Sequence, residues 1–245
     1  MKQRIIIIAI LFIFNWNIGA GPAYAGFQDH LKTILKGSRG AESLSQSEII
    51  KGLKEALQIG TANAVDIVSK VNGYYNNPKI RIPLPANIQK TENLLRTAGF
   101  GRQVDNFAVS MNRAAEKAAP QAQSIFWDAI QQMKFDDANK ILKGRDNEAT
   151  LYFKDKTSAQ LGQIFKPIVN QSMSEVGATR YYQSLNNKIK SLPFGADTFS
   201  FDLDQYVTDK SLDGLFKMLA EEEIKIRQDP AARVTDLLKK VFAGQ

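Results

Sequence analysis

SQSEIIKGLKEALQIGTANAVDIVSKVNG, residues 45–73, decides the fold class. Ser45 with Glu48 three residues later is a capping box, in which the hydroxyl and the carboxylate each satisfy an amide that the first helical turn leaves free. Ile49, Ile50, Leu53, Leu57, Ala64, Val68 and Val71 then recur at the spacing of one helix face. Asn72-Gly73 predicts the end of that helix. Gly60 and Ala64, four apart, allow another helix to approach closely.

The next stretch, YYNNPKIRIPLP at 74–85, breaks the pattern. Pro78, Pro83 and Pro85 forbid a helix and disfavour a central strand. Ile80, Ile82 and Leu84 alternate, so an extended segment with one apolar side against the helices is expected. Pro85 suits the first turn of the following helix, which runs to about Ala98 with Gly99 as its stop.

Helical periodicity then continues over Arg102 to Ala118, Gln121 to Met133, a short piece capped by Asp136 or Asp137 and stopped by Gly144, and Asn147 to Lys154. Thr157 begins a long helix that Pro167 should kink or break, and another spans Thr179 to Lys190. SLPFGADTFS, residues 191–200, is a second irregular segment. A short helix at Leu203 to Tyr206, a strong one from Leu212 to Arg227, and a last one after Asp229-Pro230 complete the chain. That last helix carries Val234, Leu237, Leu238, Val241 and Phe242 as one apolar stripe. The fold class expected is all-α: a single bundle of about nine or ten helices with two Pro-containing irregular segments.

At the N-terminus, Lys2 and Arg4 precede the apolar run Ile5 to Phe14, and Ala23-Tyr24-Ala25 supplies a small-x-small pattern. This reads as a secretory signal peptide cleaved between Ala25 and Gly26. The run is about half of the roughly 20 residues that a spanning helix needs. The expected organisation is a signal peptide at 1–25, an N-terminal helix (Phe27 to Lys36) with a flexible hinge (Gly37 to Gly40) within 26–44, and one helical domain at 45–245. The expected location is the periplasm, with no transmembrane segment after cleavage.

Without cysteine there are no disulfides, thiolate metal sites or thiol catalysis. Removing Lys2 and Arg4 from the 32 Lys and Arg leaves 30 cations against 25 acids, a net charge of +5 on the mature chain. Acids and bases are interspersed, so the charge reads as a solvated surface, and no nucleic-acid motif accompanies it.

Catalytic patterns are sparse. His30, the single histidine, lies in the N-terminal helix, outside the expected main domain. Asp202 and Asp204 begin like a calcium loop, but Tyr206 and Val207 occupy the next ligand and the turn-glycine positions, which leaves them as helix-capping acids. No G-x-S-x-G or S-x-x-K occurs. The most distinctive polar group is Asn112-Arg113-Ala114-Ala115-Glu116, whose three polar residues share a helix face. Ala114, Ala115, Ala118 and Ala119 make that helix thin. The plainer expectation is an ion pair on the surface; the functional one is a buried polar centre lining a pocket. Tyr74, Tyr75, Trp127, Tyr152, Phe153, Phe165, Tyr181 and Tyr182 read first as core and second as the lining of an apolar cavity. The candidate binding residues are Asn112, Arg113, Glu116, Tyr74 and Tyr152; no catalytic residue, metal ligand or cofactor is assigned.

The order of these pieces resembles the bacterial family DUF4197. The resemblance rests on Gly73-Tyr74, Asn77-Pro78, Ile82-Pro83-Leu84-Pro85, Met111 to Glu116, Asp137-Ala138 with Ile141-Leu142 and Gly144, Ala149-Thr150, Tyr152-Phe153, and Phe165 with Pro167. It continues at Asp202-Leu203, Tyr206-Val207, Gly214-Leu215-Phe216, Glu222-Glu223, Ile226-Arg227, Pro230, Arg233, Thr235, Leu238 and Val241-Phe242, and so covers Glu48 to Ala243. It implies an exported helical protein of Gram-negative bacteria and carries no site residue with it. The function expected is non-enzymatic: binding of an apolar or amphipathic small ligand, or of an envelope protein, with Tyr74–Pro85 and Ser191–Ser200 as a rim. The alternatives are a carboxylate/arginine enzyme centred on Arg113 and Glu116, and a purely structural interaction protein.

Overall fold

A computed structural model of the chain describes residues 45–190, 201–233, 235, 239 and 241. The signal segment with its Ala25–Gly26 junction, the N-terminal helix with His30, the hinge, the Ser191–Ser200 segment, and Val234, Leu237, Leu238 and Phe242 lie outside the described residues.

The described residues are helical and contain no strand. The α-helices are α1 (Gln46–Ser69), α2 (Ala86–Leu95), α3 (Gly101–Ala118), α4 (Ala122–Gln132), α5 (Phe135–Lys143), α6 (Glu148–Glu175), α7 (Ala178–Lys190) and α8 (Leu203–Gln228). They form six helical stretches among the described residues, not nine or ten, because α2, α3 and α4 follow one another without a loop, through a π turn kinked at Gly99 (Arg96–Phe100) and a 3-10 turn (Ala119–Gln121).

Two expected breaks are absent. Lys154, Asp155 and Lys156 are polar because they ride the exposed face of α6, which passes straight through them. The polar run before Leu212 does not interrupt α8 either: the Ser211 hydroxyl donates to the Val207 carbonyl at 2.6 Å and both residues are buried. Nor does α6 stop at Pro167. A helical proline leaves the carbonyl four residues back without its amide. That carbonyl belongs to Gln163, and Gln163 and Pro167 both line an open groove where solvent can replace the missing donor.

Other local signals hold. Ser45 and Glu48 make both bonds of the capping box, the Ser45 amide donating to Glu48 at 2.8 Å and the Glu48 amide to the Ser45 hydroxyl at 3.3 Å. Gly99, at φ +86°, kinks the chain between α2 and α3, a conformation that costs a side-chain-bearing residue much more than glycine. The Tyr74–Pro85 segment departs from expectation: Tyr74 to Ile80 folds as successive turns, with Asn77 accepting from the amides of Ile80 and Arg81. Beyond them Ile82 is buried and Arg81 and Pro83 are exposed, the alternation the sequence carries.

The helices belong to one compact unit, Leu44–Gln245. Thin α3, with Ala114, Ala115 and Ala118 fully buried, runs through its middle and touches α1, α2, α6, α7 and α8. The long helices α6 and α8 pack on each other, and α1 covers α8 and α4. Of the aromatic residues, Tyr74, Phe153 and Phe165 fill the core, with the Phe126 ring 5.2 Å from Phe153 and 6.1 Å from Phe216, whereas Tyr75, Tyr152, Tyr181 and Tyr182 are half-buried and Trp127 is exposed.

Gly214 on α8 fixes how closely the 74–80 turns approach. A Cβ there would lie 2.6 Å from Tyr74 Cε1 and 3.2 Å from Ile80 Cβ. Gly214→Ala is expected to destabilise the fold by about 1–3 kcal/mol through overpacking, read as a lower urea midpoint with an unchanged slope.

Candidate functional site

The polar centre is built where the turns after α1 meet α3. The chain leaves α1 through Asn72 at φ +71°, and Tyr74 is fully buried beneath Gly214. From α3, Glu116 is 4 % exposed and Asn112 is fully buried, so the cluster faces inward and is not the surface pair of the plainer expectation.

Each of these side chains is bonded to main chain. Glu116 Oε1 accepts from the Tyr74 amide at 3.1 Å and from the Tyr75 amide at 3.3 Å. Its Oε2 accepts from Arg113 Nη1, while Arg113 Nη2 donates to the Asn72 side-chain oxygen at 2.8 Å. Asn112 pairs with Ile82 as a strand residue would: Oδ1 accepts from the Ile82 amide at 2.8 Å, and Nδ2 donates to the Ile82 carbonyl at 3.1 Å and to Ala108 at 2.8 Å. Two side chains one helical turn apart thus hold both ends of a proline-rich segment that has no sheet to satisfy it.

Tyr74 completes the clamp. Its hydroxyl donates to the Ser211 carbonyl at 2.6 Å, which ties the turns to α8. Burial, and secondarily the Glu116 charge, push the Tyr74 phenol well above its ordinary value, so it stays a neutral donor. The stability it lends is therefore full below the ordinary tyrosine pKa of about 10 and is lost as pH rises beyond it.

Tyr152 lies elsewhere. Its hydroxyl donates to the Ala129 carbonyl at 3.4 Å, its ring meets Phe153 edge-on, and it separates two polar clefts that share Asp137 and Lys156. Burial, then Asp137, raise its pKa. The structure brings Asn112, Arg113, Glu116 and Tyr74 together and leaves Tyr152 outside them.

A second buried charge centre went unrecognised in the sequence. Glu223 on α8 accepts from the amides of Ala149 at 2.9 Å and Thr150 at 2.8 Å and from the Thr150 hydroxyl at 2.9 Å, capping α6 from another helix. Arg227, 8 % exposed, donates to Glu223 at 2.9 Å and to the Ile141 carbonyl at 2.7 Å. The available signal was an i, i+4 Glu–Arg pair on the helix face that also carries Leu219 and Ile226. Beside it, Leu53, Leu57, Ile141 and Leu219 enclose a cavity with space for only one or two water molecules.

Asp202 caps α8 by accepting from the Gln205 amide at 2.9 Å, as a capping acid should, and Asp137 accepts from the Lys134 amide at 3.0 Å at the start of α5. Among the described residues no three His, Asp or Glu side chains cluster as a metal site would need, and no helix there is long and apolar enough to cross a membrane.

Three carboxylates are held below their ordinary range: Glu148 by its hydrogen bond from Arg145, Glu175 by Lys117, and Asp202 by the Gln205 amide and then Lys166. A depressed carboxylate stabilises the fold fully above its unfolded value, about pH 4, and loses that contribution as pH falls through its folded value. The urea midpoint is therefore expected to be lower at pH 3 than at pH 7, and an equal or higher midpoint at pH 3 would contradict these pairings.

Comparison with known proteins gives one match. The model of a family described as "Protein of unknown function (DUF4197)" matches residues 43–243. No curated protein and no solved structure matches the chain.

Proposed function

The chain belongs to the DUF4197 family, and on that premise we propose that it is an exported envelope protein that acts by binding and not by catalysis. The observation that carries this reading is how the buried carboxylates are used. Both oxygens of Glu116 and both of Glu223 are occupied by main-chain amides, a hydroxyl or arginine. A general acid or base needs an oxygen within reach of the substrate proton, and an enzyme centred on Arg113 and Glu116 would have to dismantle the fold's own clamp to present one.

The filled core shifts the binding site outward. The cavity beside Glu223 is too small for an apolar ligand, whereas an open groove of about 800 Å³ runs between α6 and α8, lined by Ser158, Gly162, Lys166, Asn170, Asp204 and Gln205. Ala159, Pro167 and Leu212 add apolar surface to it, and so open a groove suits a partner surface better than a small amphipathic molecule, which is held in a concave pocket that buries most of it. The envelope partner is therefore the favoured ligand class. Export rests on the basic start, the apolar run and Ala23-Tyr24-Ala25, and places the mature protein in the periplasm.

Native mass spectrometry of the protein purified gently from the periplasm tests the reading. The expected species begins at Gly26 and carries no added small molecule, while crosslinking before lysis captures an envelope protein. A discrete added mass that leaves on denaturation would return the function to a small ligand. A chain retaining residues 1–25 would overturn cleavage.

A further inference from the structure

We propose that the end of the bundle made by the α2–α3 turn and the last turn of α7 docks on an anionic phospholipid surface. This gives the binding reading above one partner chemistry. The two pieces are adjacent: Lys188 of α7 sits over the Phe100 ring, its ammonium 5.3 Å from the centroid. The turn itself is exposed from Arg96 to Gly99, and Leu94, one turn earlier on α2, is 49 % exposed.

Charge at this end is one-sided. The neighbouring acids are Glu92 and Asp105, and Arg96 binds both, at 2.8 and 2.7 Å. Lys90, Arg102 and Lys190 are exposed and make no ion pair with another described residue. Lys190 has a local explanation, since a cation in the last turn complements the helix dipole of α7. Arg102 has the opposite: it sits in the first turn of α3, where the dipole disfavours a cation, with no acid in that turn to offset it. An arginine with no partner among the described residues, set against a helix dipole at an end of the bundle that also exposes a leucine, is what an external anionic, partly apolar surface would favour. A phospholipid interface supplies both features, headgroup phosphates for Arg102, Lys90 and Lys190 and an apolar boundary for Leu94. Gly99 places no side chain at the crest of the turn, and a Cβ there would meet nothing within 4 Å, so the crest can lie flat on that boundary.

Co-sedimentation of the exported protein with vesicles of phosphatidylglycerol and phosphatidylethanolamine, against vesicles of phosphatidylcholine, tests the proposal. Binding to the anionic vesicles is expected, falling with added salt. Each cation at such a surface is worth about fivefold in partitioning. The double charge reversal Arg102→Glu with Lys190→Glu should therefore weaken binding by at least roughly 25-fold. Leu94→Ser should weaken it by about fivefold at unchanged charge. The charge-matched control Lys143→Glu with Lys154→Glu, on α5 and α6, should leave it within about twofold. Three results would overturn the proposal: no anionic binding at low salt, equal binding to both vesicle types, or equal losses in the control and the tip variant. None of these bears on whether the protein has a protein partner, which crosslinking reads separately.

Discussion

Glu223→Ala is expected to be the most damaging single substitution in the described fold, lowering stability by about 3–5 kcal/mol. Three hydrogen bonds vanish at once, and they are the ones that cap α6, the longest helix, at its buried N-terminus. Arg227 is then left 8 % exposed without its carboxylate. Removing one member of a buried pair costs more than the pair contributes, because the remaining charge stays desolvated. The expected fall in Tm is roughly 6–20 °C for a chain of this size, measured by far-ultraviolet circular dichroism. Replacing Glu223 and Arg227 together by leucine and methionine should recover part of the loss, since a well-packed apolar pair removes the stranded charge. A double variant no better than Glu223→Ala would mean that the caps, and not the charge, carry the effect.

Glu116→Ala ranks next, at about 2–4 kcal/mol. The buried Tyr74 amide and the half-buried Tyr75 amide both lose their acceptor. Arg113 loses less than Arg227, because its side chain is 27 % exposed against 8 % and water can solvate it. Glu116→Gln retains an amide oxygen for Tyr74 and Tyr75 and turns its other end, a donor, toward Arg113. It should fall between wild type and alanine in urea unfolding. If Glu116→Ala unfolds at the wild-type midpoint, the carboxylate is not a clamp and the enzyme reading around Arg113 regains its ground.

Much of the fold is legible in the sequence because its signals are local. The Ser45–Glu48 box, the kink at Gly99 and the capping acids Asp202 and Asp137 each act within a few residues of themselves. The two false breaks, near Lys154–Lys156 and before Leu212, share one cause: polar residues on the outer face of a long helix look like a loop when burial is unknown. The candidate site is half legible. The spacing of Asn112, Arg113 and Glu116 fixes a shared face, and the alanines around them mark a helix that others can enclose. The partners of Glu116 and Asn112 are main-chain groups of Tyr74, Tyr75 and Ile82, some 30 to 42 residues away, and no side-chain pattern announces a backbone acceptor or donor. Glu223 is harder still, since its partners at Ala149 and Thr150 lie 73 and 74 residues away and the adjacent Glu221 and Glu222 disguise it as one member of an acidic run. Tyr152 was grouped with the cluster on residue type alone, and its surroundings on α4 and α6 separate it.

The central claim is that the buried carboxylates Glu116 and Glu223 serve the fold's own backbone. Native-state amide hydrogen exchange at Tyr74, Tyr75, Ala149 and Thr150 tests it most directly, because those four amides donate to Glu116 and Glu223 and to nothing else that would protect them. If the clamps hold, all four exchange as slowly as the amides in the middle of α3 and α6, through global unfolding alone. Fast exchange at these four while α3 and α6 stay protected would show the carboxylates free of the backbone, and would contradict the account.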